Sequence, residues 1–451
     1  MNQDRQYELE RAKRKRRQQR RRRKKILLRI EAGVLLVLLL SLVFVIAKTK
    51  LGSEKEDKTN SLSYDKQDEQ DEAIWTGEEK MGQENVNPEE MEENKEAEET
   101  ALLVENEDEN VEETSEEEKE REEGVILLPP TENEKTVLAF GGDVCFHDEF
   151  SNMYSYVQKG SDISKCISPE LLNEMHSADI FMVNNEFTYT NRGEPTAEKT
   201  FAFRSKPSNV KILNDMGVDI VSLANNHAYD YGEVSLLDTL DTLDEINMPH
   251  VGAGKNLDEA RRPVVFEQNG ITIAYLSATQ IERLDTPDTK GATENSPGVY
   301  RCWGKAVDRL VEDIKAAKEK YDFVVVYIHW GTENTDVLDW AQLDQAKAIA
   351  LAGADFIIGD HPHCLQQLGS ENKVPIIYSL GNFWFNSKTL DSCLVKIVLT
   401  RDGMESFQFL PAVQQNCTTR LVSGEEKTRI LNYMRQISAG VTIDEEGFVQ
   451  F

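Results

Sequence analysis

Cysteine is scarce in this 451-residue chain: its six copies, at positions 145, 166, 302, 364, 393 and 417, contain no Cys-x-x-Cys pair and no regular spacing. That excludes a zinc ribbon and a thioredoxin-like redox motif, and no disulfide pairing follows from the spacing. Positive charge is also short. Against 81 Asp and Glu there are only 51 Lys and Arg, a formal net charge of −30. Neutralising phosphates takes a basic surface, so nucleic-acid binding by the acidic body of the chain is excluded. Internal repeats are absent, which argues against a solenoid or propeller.

The basic residues that exist are concentrated at the start. Residues 1–29 hold 14 basic and 3 acidic side chains, whereas residues 48–134 hold 9 and 32, and residues 135–451 hold 28 and 45. Between the first two regions runs AGVLLVLLLSLVFVIA (32–47), which carries no charge. Extended back to Ile26, the apolar stretch is just long enough to cross a hydrocarbon core of about 30 Å as a helix. Residues 30–47 are therefore expected to form a transmembrane signal-anchor. A cleaved signal peptide has a shorter apolar region and a small-residue cleavage site, which the Val45-Ile46-Ala47-Lys48 exit lacks. Basic flanks stay cytoplasmic, so residues 1–29 form a cytoplasmic head on a single-pass cell-membrane protein, with the C-terminal body extracytoplasmic. Lipid attraction and orientation account for this head without a nucleic-acid partner.

Residues 48–134 are rich in Glu, Asn, Gln, Lys and Ser, with aliphatic clusters only at ALLV (101–104) and VILLPP (125–130). Such a segment buries too little apolar surface to offset the entropy of ordering it, and its like charges repel. It is expected to be an acidic disordered linker, a spacer from the bilayer.

From Lys135 to Phe451 short aliphatic runs alternate with amphipathic ones. TVLAFGGD (136–143), ADIFMVNNE (178–186), VDIVSLANN (218–226), FVVVYIHWG (323–331) and ADFIIGDHPH (354–363) read as buried strands, and VPIIYSLGNF, CLVKIVLTRDG and SFQFLPAVQQ as further ones. The last two form a hairpin about Asp402-Gly403. Between strands, SPELLNEMHS, PSNVKILNDMG, EVSLLDTLDTLDEIN, KAVDRLVEDIKAAKEKY and DWAQLDQAKAIALAG read as helices, the last capped by Gly353. The expected fold class is α/β, layered, with a mixed sheet.

Asp143, Asn185-Glu186, Asn225-Asn226-His227, His329 and His361-Pro362-His363 all fall at the C-terminal ends of these strands, where α/β folds place their ligand sites. Taken singly, a strand-end Asp is commonly a cap and a lone His a hydrogen-bonded core residue. Together, carboxylates, amides and imidazoles converging from several strands suit a hard or borderline divalent cation. Two such ions can hold a phosphate ester and supply hydroxide at neutral pH.

GGDV (141–144), NNE (184–186), SLANNHAYDYG (222–232), YIHWGTE (327–333), GDHPHCLQ (359–366) and YSLGNFWF (378–385) closely resemble, in order and over about 245 residues, the CapA-type poly-γ-glutamate capsule biosynthesis proteins. The resemblance implies a calcineurin-like metallophosphoesterase sandwich of two mixed sheets flanked by helices. It assigns Asp143, Glu186, Asn226, His329, His361 and His363 to divalent metal (Mn, Zn or Fe), and His227 to catalysis beside the leaving oxygen. Asp230 is placed to orient His227, with a helix cap as the alternative. Around them, Trp330 and Glu333 are candidates for shaping the pocket mouth, against plain rim packing. Asn382 is a substrate-side or turn-clamping residue. Arg204 and Lys206 are candidates for gripping a carboxylate or phosphate, with ordinary solvated charge as the alternative.

Two positions depart from the wider phosphoesterase pattern. The residue two after Asp143 is Cys145 where that pattern has histidine, with His147 next, and Glu186 stands where an aspartate bridges the metals. The implied function is capsule or envelope-polymer synthesis, export or attachment as a metal-dependent hydrolase. The departures keep open a non-catalytic subunit of a membrane synthase that binds the polymer. Partners implied are the bilayer, poly-γ-glutamate and synthase subunits.

Overall fold

The computed structural model describes residues 124–197, 199–281 and 290–451. The basic head, the proposed anchor and nearly all of the linker lie outside the described residues. Among the described residues no helix is long and apolar enough to cross a membrane.

Two mixed sheets organise the described domain, and each is built around consecutive parallel strands. In one, Thr136–Val144, Ile180–Asn185, Ile220–Ser222 and His250–Val251 run parallel and in order. The long antiparallel hairpin Leu390–Thr400 and Gly403–Gln415 extends it on the Thr136 side, turning at Arg401-Asp402, one residue before the predicted Asp402-Gly403. In the other, Ile271–Thr279, Phe323–His329, Phe356–Asp360 and Val374–Ile377 run parallel.

The continuous apolar runs explain why both faces of these strands are buried. Successive side chains alternate between faces. Leu138, Phe140, Ile180 and Met182 point into a core shared with Ile273, Tyr275, Val325, Tyr327 and Ile358 of the facing sheet. Their neighbours Ala139, Phe181 and Val183 pack under the helices Pro169–His176 and Glu233–Glu245. Val324, Val326 and Ile357 pack under Ala306–Lys320 and Trp340–Ala352. The order is helix, sheet, sheet, helix. Each large side chain moved fully out of water contributes about 1.5–3 kcal/mol, so these alternating positions carry most of the folding drive.

Caps bound the helices, and Gly353 ends one where the sequence placed it. Ser168 Oγ accepts from Leu171 N, Asp339 and Gln342 form a reciprocal capping box, and Gly353 closes Trp340–Ala352 at φ 110°. Several features were not read from the sequence, among them the strands Val264–Gln268 and Ile271–Thr279 and the helix Gly424–Ile437. Asn269-Gly270, at φ 54° and 72°, turns Val264–Gln268 into Ile271–Thr279. Val125–Leu127, assigned by composition to the linker, pairs in parallel with Val264–Gln268, so the fold begins before residue 135. A short aliphatic run in an acidic segment finds a partner strand that composition cannot reveal.

At their N-terminal ends the parallel strands share one device. Asp179, Asp219, Asp322 and Asp355, each just before a strand or at its first turn, accept the backbone N–H of Val137, Phe181, Thr272 and Val324 on the neighbouring strand, at 2.7–2.8 Å. Each carboxylate satisfies a donor that the ladder leaves over.

Candidate metal centre

Register brings the polar strand ends together. Asp143 lies opposite both Asn184 and Asn382, and His329 lies opposite Asp360. Asp143 Oδ1 accepts from Asn184 Nδ2 at 2.9 Å, and His329 Nδ1 lies 2.9 Å from Asp360 Oδ1. The strands holding Asp143 and Asn382 meet closely enough that a Cβ on Gly142 would sit 1.8 Å from Gly381 O, so glycine is required there. Asp143 N donates to that same carbonyl at 3.0 Å.

The loops after the strands complete the cluster. Asn225 Nδ2 donates to Asn184 Oδ1 and Asn185 O, both at 2.9 Å, and Asn225 Oδ1 accepts from His227 N. This buried amide web locks the turn from which Asn226 Oδ1 reaches to 2.7 Å from His329 Nε2. His361 and His363 both adopt positive φ, 92° and 57°. Such a backbone costs a non-glycine residue of order 1–3 kcal/mol and persists at functional sites. It turns both imidazoles the same way: His361 Nδ1 comes to 3.0 Å from His329 Nε2, and His363 Nδ1 to 2.8 Å from Asn382 Oδ1.

Three overlapping sets of donors result, each with its atoms within 4.8 Å of one another: Glu186, His329 and His361; Asp143, Glu186 and His363; and Asp143, His329 and Asp360. Glu186 belongs to two sets. Both of its oxygens are buried without a hydrogen-bond donor, as is Asp360 Oδ2. Asp143 Oδ2 lies 3.2 Å from His363 Nδ1 without a hydrogen bond to it, and that nitrogen lies closer to Asn382 Oδ1, at 2.8 Å. Unsatisfied buried carboxylate oxygens are costly, and several facing each other are more so. This is the donor set of a divalent cation, and the residues present fit one.

The electrostatics agree. Burial acts to raise the Asp143 carboxyl, but His363, the charge of His329 and the Asn184 amide outweigh it and hold the group at about 2. Burial, then the negative charge of Asp143, pushes Glu186 and Asp360 well above the usual carboxylate range. Burial pushes His329 down to about 3 and His361 well below its ordinary value. His363 also loses by burial, yet its contact with Asp143 raises it overall. Within the cluster the protein alone thus favours one ion pair, Asp143 with His363. A dication would let the remaining carboxylates ionise around it.

His227 stands beside this cluster. Its Nε2 is 3.8 Å from Glu186 Oε1, and its Nδ1 is 2.7 Å from Asp230 Oδ2. An ionised carboxylate only accepts, so the His227 proton sits on Nδ1 and Nε2 faces the metal ligands. Burial lowers its pKa, opposed by Asp230. Phe203 stacks on the ring at 4.3 Å.

The outer candidates fall elsewhere. Trp330, expected at the mouth, is wholly buried, with its indole donating to Tyr378 O at 2.8 Å and its ring stacked on Tyr378. It is a core residue because its side chain follows the inward-facing His329 onto the opposite, helix-covered face. Glu333 is exposed, yet close enough for its charge to act on Glu186 and His363. Arg204 lies over the Tyr231 ring at 4.6 Å and Lys206 is exposed, neither in the cluster. Asn382 is inside it. Cys145 points into the hydrophobic core with its thiol raised by burial, and His147 is turned to the Arg204 backbone, so neither joins the donors. Sequence reading missed Asp360, Asn184 and Lys199, and named Asn225 among the strand ends without giving it a role. The doubled Asn-Asn at 184–185 and 225–226 was the available signal for Asn184 and Asn225.

Residues 137–387 match the family described as bacterial capsule synthesis protein PGA_cap. The chain belongs to that family. It is 35% identical over 261 residues to a Bacillus subtilis protein named PGA biosynthesis protein CapA, covering 56% of this chain and 66% of the relative. It is 30% identical over 318 residues to the capsule biosynthesis protein CapA of Bacillus anthracis, covering 66% of this chain and 72% of the relative. The CapA-type resemblance of the sequence motifs is thereby shown. The chain spans about two thirds of the length of the B. subtilis relative. Among solved structures, the sulfate thiohydrolase SoxB of Thermus thermophilus overlaps 64% of this chain and 58% of its own, at 13% identity and a TM-score of 0.34.

Proposed function

We propose that this PGA_cap protein acts in poly-γ-glutamate capsule or related envelope-polymer synthesis, as a metal-dependent hydrolase or transferase of a phosphoester or amide bond. The observation that carries the reading is the cluster of orphaned buried carboxylate oxygens on Glu186, Asp360 and Asp143, interleaved with the imidazoles of His329, His361 and His363. In this reading the domain is a calcineurin-like metallophosphoesterase sandwich. Asp143, Glu186, Asn226, His329, His361 and His363 hold one or two divalent ions, of which Mn, Zn and Fe suit the mixed oxygen and nitrogen donors. An ion held by these residues would polarise the scissile group and make hydroxide available at neutral pH. Asp230 keeps the His227 proton on Nδ1, and His227 Nε2 exchanges a proton with the reacting oxygen. Arg204 and Lys206 lie nearby in sequence as local grips for an anionic polymer, which a strongly acidic surface would otherwise repel.

The proposal also places residues 1–29 in the cytoplasm, residues 30–47 in the membrane and the domain outside, on an acidic spacer. Removal of residues 26–47 should release the chain from the membrane fraction; retention would overturn the anchor.

The enzymatic reading is tested by metal analysis of the purified chain and turnover of a simple phosphodiester, bis-p-nitrophenyl phosphate, with and without His227→Ala. Bound metal and a loss of roughly 10²–10⁴-fold on substitution are expected. Absence of both metal and His227-dependent turnover would sink it. One observation favours a second reading, an accessory polymer-binding subunit: Cys145 and His147 are both turned away, so neither adds a donor to the set of Asp143, Glu186 and His363. That reading requires poly-γ-glutamate or synthase subunits to bind His227→Ala as well as the unaltered chain.

A further inference from the structure

The segment leading to Phe203 is tied to the turn that carries Asn226 and His227, and most of its ties end on Asp230. Thr196 N and Oγ1 donate to Asp230 O at 2.8 and 3.0 Å, and Phe203 N donates to Asp230 Oδ2 at 2.6 Å. Lys199 Nζ pairs with Asp230 Oδ1, and the same ammonium donates to Asn226 O at 2.5 Å. The Lys199 side chain is only 4% exposed. Lysine is rarely buried unless its charge is matched and its donors are used, and here both conditions are met by the two residues that flank His227.

We propose that Lys199 is a positioning residue for His227. By occupying Oδ1 of Asp230 it leaves Oδ2 to accept from His227 Nδ1, and by holding Asn226 O it sets the turn on which the imidazole stands. Phe203, bonded through its N–H to the same carboxylate, presses its ring on the imidazole face. The ring is therefore held in plane, in tautomer and in direction by groups that all depend on one carboxylate, and Lys199 is the charge that keeps that carboxylate in place. A point charge with several donors on a flexible stem suits contacts with two acceptors in different directions. The inference rests on the reading of His227 as the group that faces the substrate.

Selective ¹⁵N-histidine labelling of the full chain gives a readout independent of turnover, since there are only seven histidines. Long-range ¹H–¹⁵N spectra should show His227, assigned by its disappearance in His227→Gln, protonated at Nδ1. Lys199→Met should convert that signal to a mixture of tautomers and lower kcat by about 10- to 100-fold, with KM within about twofold and metal content unchanged. Lys199→Arg should restore part of both. If Lys199→Met does not fold, Lys199→Gln, which keeps a donor but no charge, takes its place with the same expectation. A folded variant with the original His227 tautomer and unchanged kcat would overturn the proposal. Should the unaltered chain turn over no phosphodiester, the enzymatic reading fails separately, and the tautomer alone decides the role of Lys199.

Discussion

The parallel strands carry carboxylates at both ends, and the two ends treat them oppositely. At the N-terminal ends Asp179, Asp219, Asp322 and Asp355 each take a backbone N–H of the neighbouring strand, and Asp355 also takes Lys318. At the C-terminal ends Asp143, Glu186 and Asp360 are fully buried and keep oxygens with no donor. Residue type does not separate the two groups. The difference lies in which donors the fold supplies. A carboxylate with a backbone partner closes a sheet edge, whereas one held in the interior among imidazoles and other acids costs stability unless a cation compensates it.

The largest effect that would sharpen this comparison is expected from Glu186→Gln. Two donor sets share Glu186, so divalent-ion affinity measured by calorimetry should fall by more than about 100-fold, while the metal-free melting temperature holds or rises because a buried unpaired acid is gone. A drop in metal-free stability would place Glu186 with the structural acids and break the contrast. Asp360→Asn, which alters the group behind His329 Nδ1 and a member of one donor set, should weaken the ion by about 10- to 100-fold. At the other end, Asp355→Ala should cost about 1–3 kcal/mol in denaturant unfolding, by stranding Val324 N and Lys318, and leave metal content unchanged. Metal loss in that variant would show that the two ends are not independent.

The smallest effect concerns pH. Burial raises Asp219 to about 6, above its unfolded value, so the folded state binds the proton more tightly. That contribution to stability is present below about pH 4 and is lost as pH rises through about 6. Asp219 is partly exposed, so solvent screening limits the loss to about 1 kcal/mol. Asp219→Asn should flatten the melting temperature between pH 4 and 7. An unchanged slope would assign that pH dependence to other groups.

Much of this domain was legible because its strands announce themselves. The five strands that lead to the site run through aliphatic positions into Asp, Asn, Glu or His, as in DIFMVNNE and DFIIGDHPH, whereas Val264–Gln268 and Ile271–Thr279, which end in Gln and Thr, were not read. That pattern located Asp143, Glu186, Asn226, His227, His329, His361 and His363. It did not locate Lys199, whose segment has no regular pattern, or Asp360, which looks like a turn residue before His361. Trp330 was misjudged because a strand pattern shows that neighbours alternate, and only packing shows which face is the core.

By itself the sequence determined the partition of charge along the chain, the apolar run at 32–47, the α/β alternation and the set of chemical groups at the strand ends, since these depend on local order and periodicity alone. Only the tertiary structure decided which of those groups share a site. Parallel register sets Asp143 beside Asn184 and His329 beside Asp360, two sheets face each other across one core, and the positive-φ turn at His361 and His363 closes the ring. The pairing of strands far apart in sequence is fixed by burial on both faces at once, a condition that no local window of residues expresses.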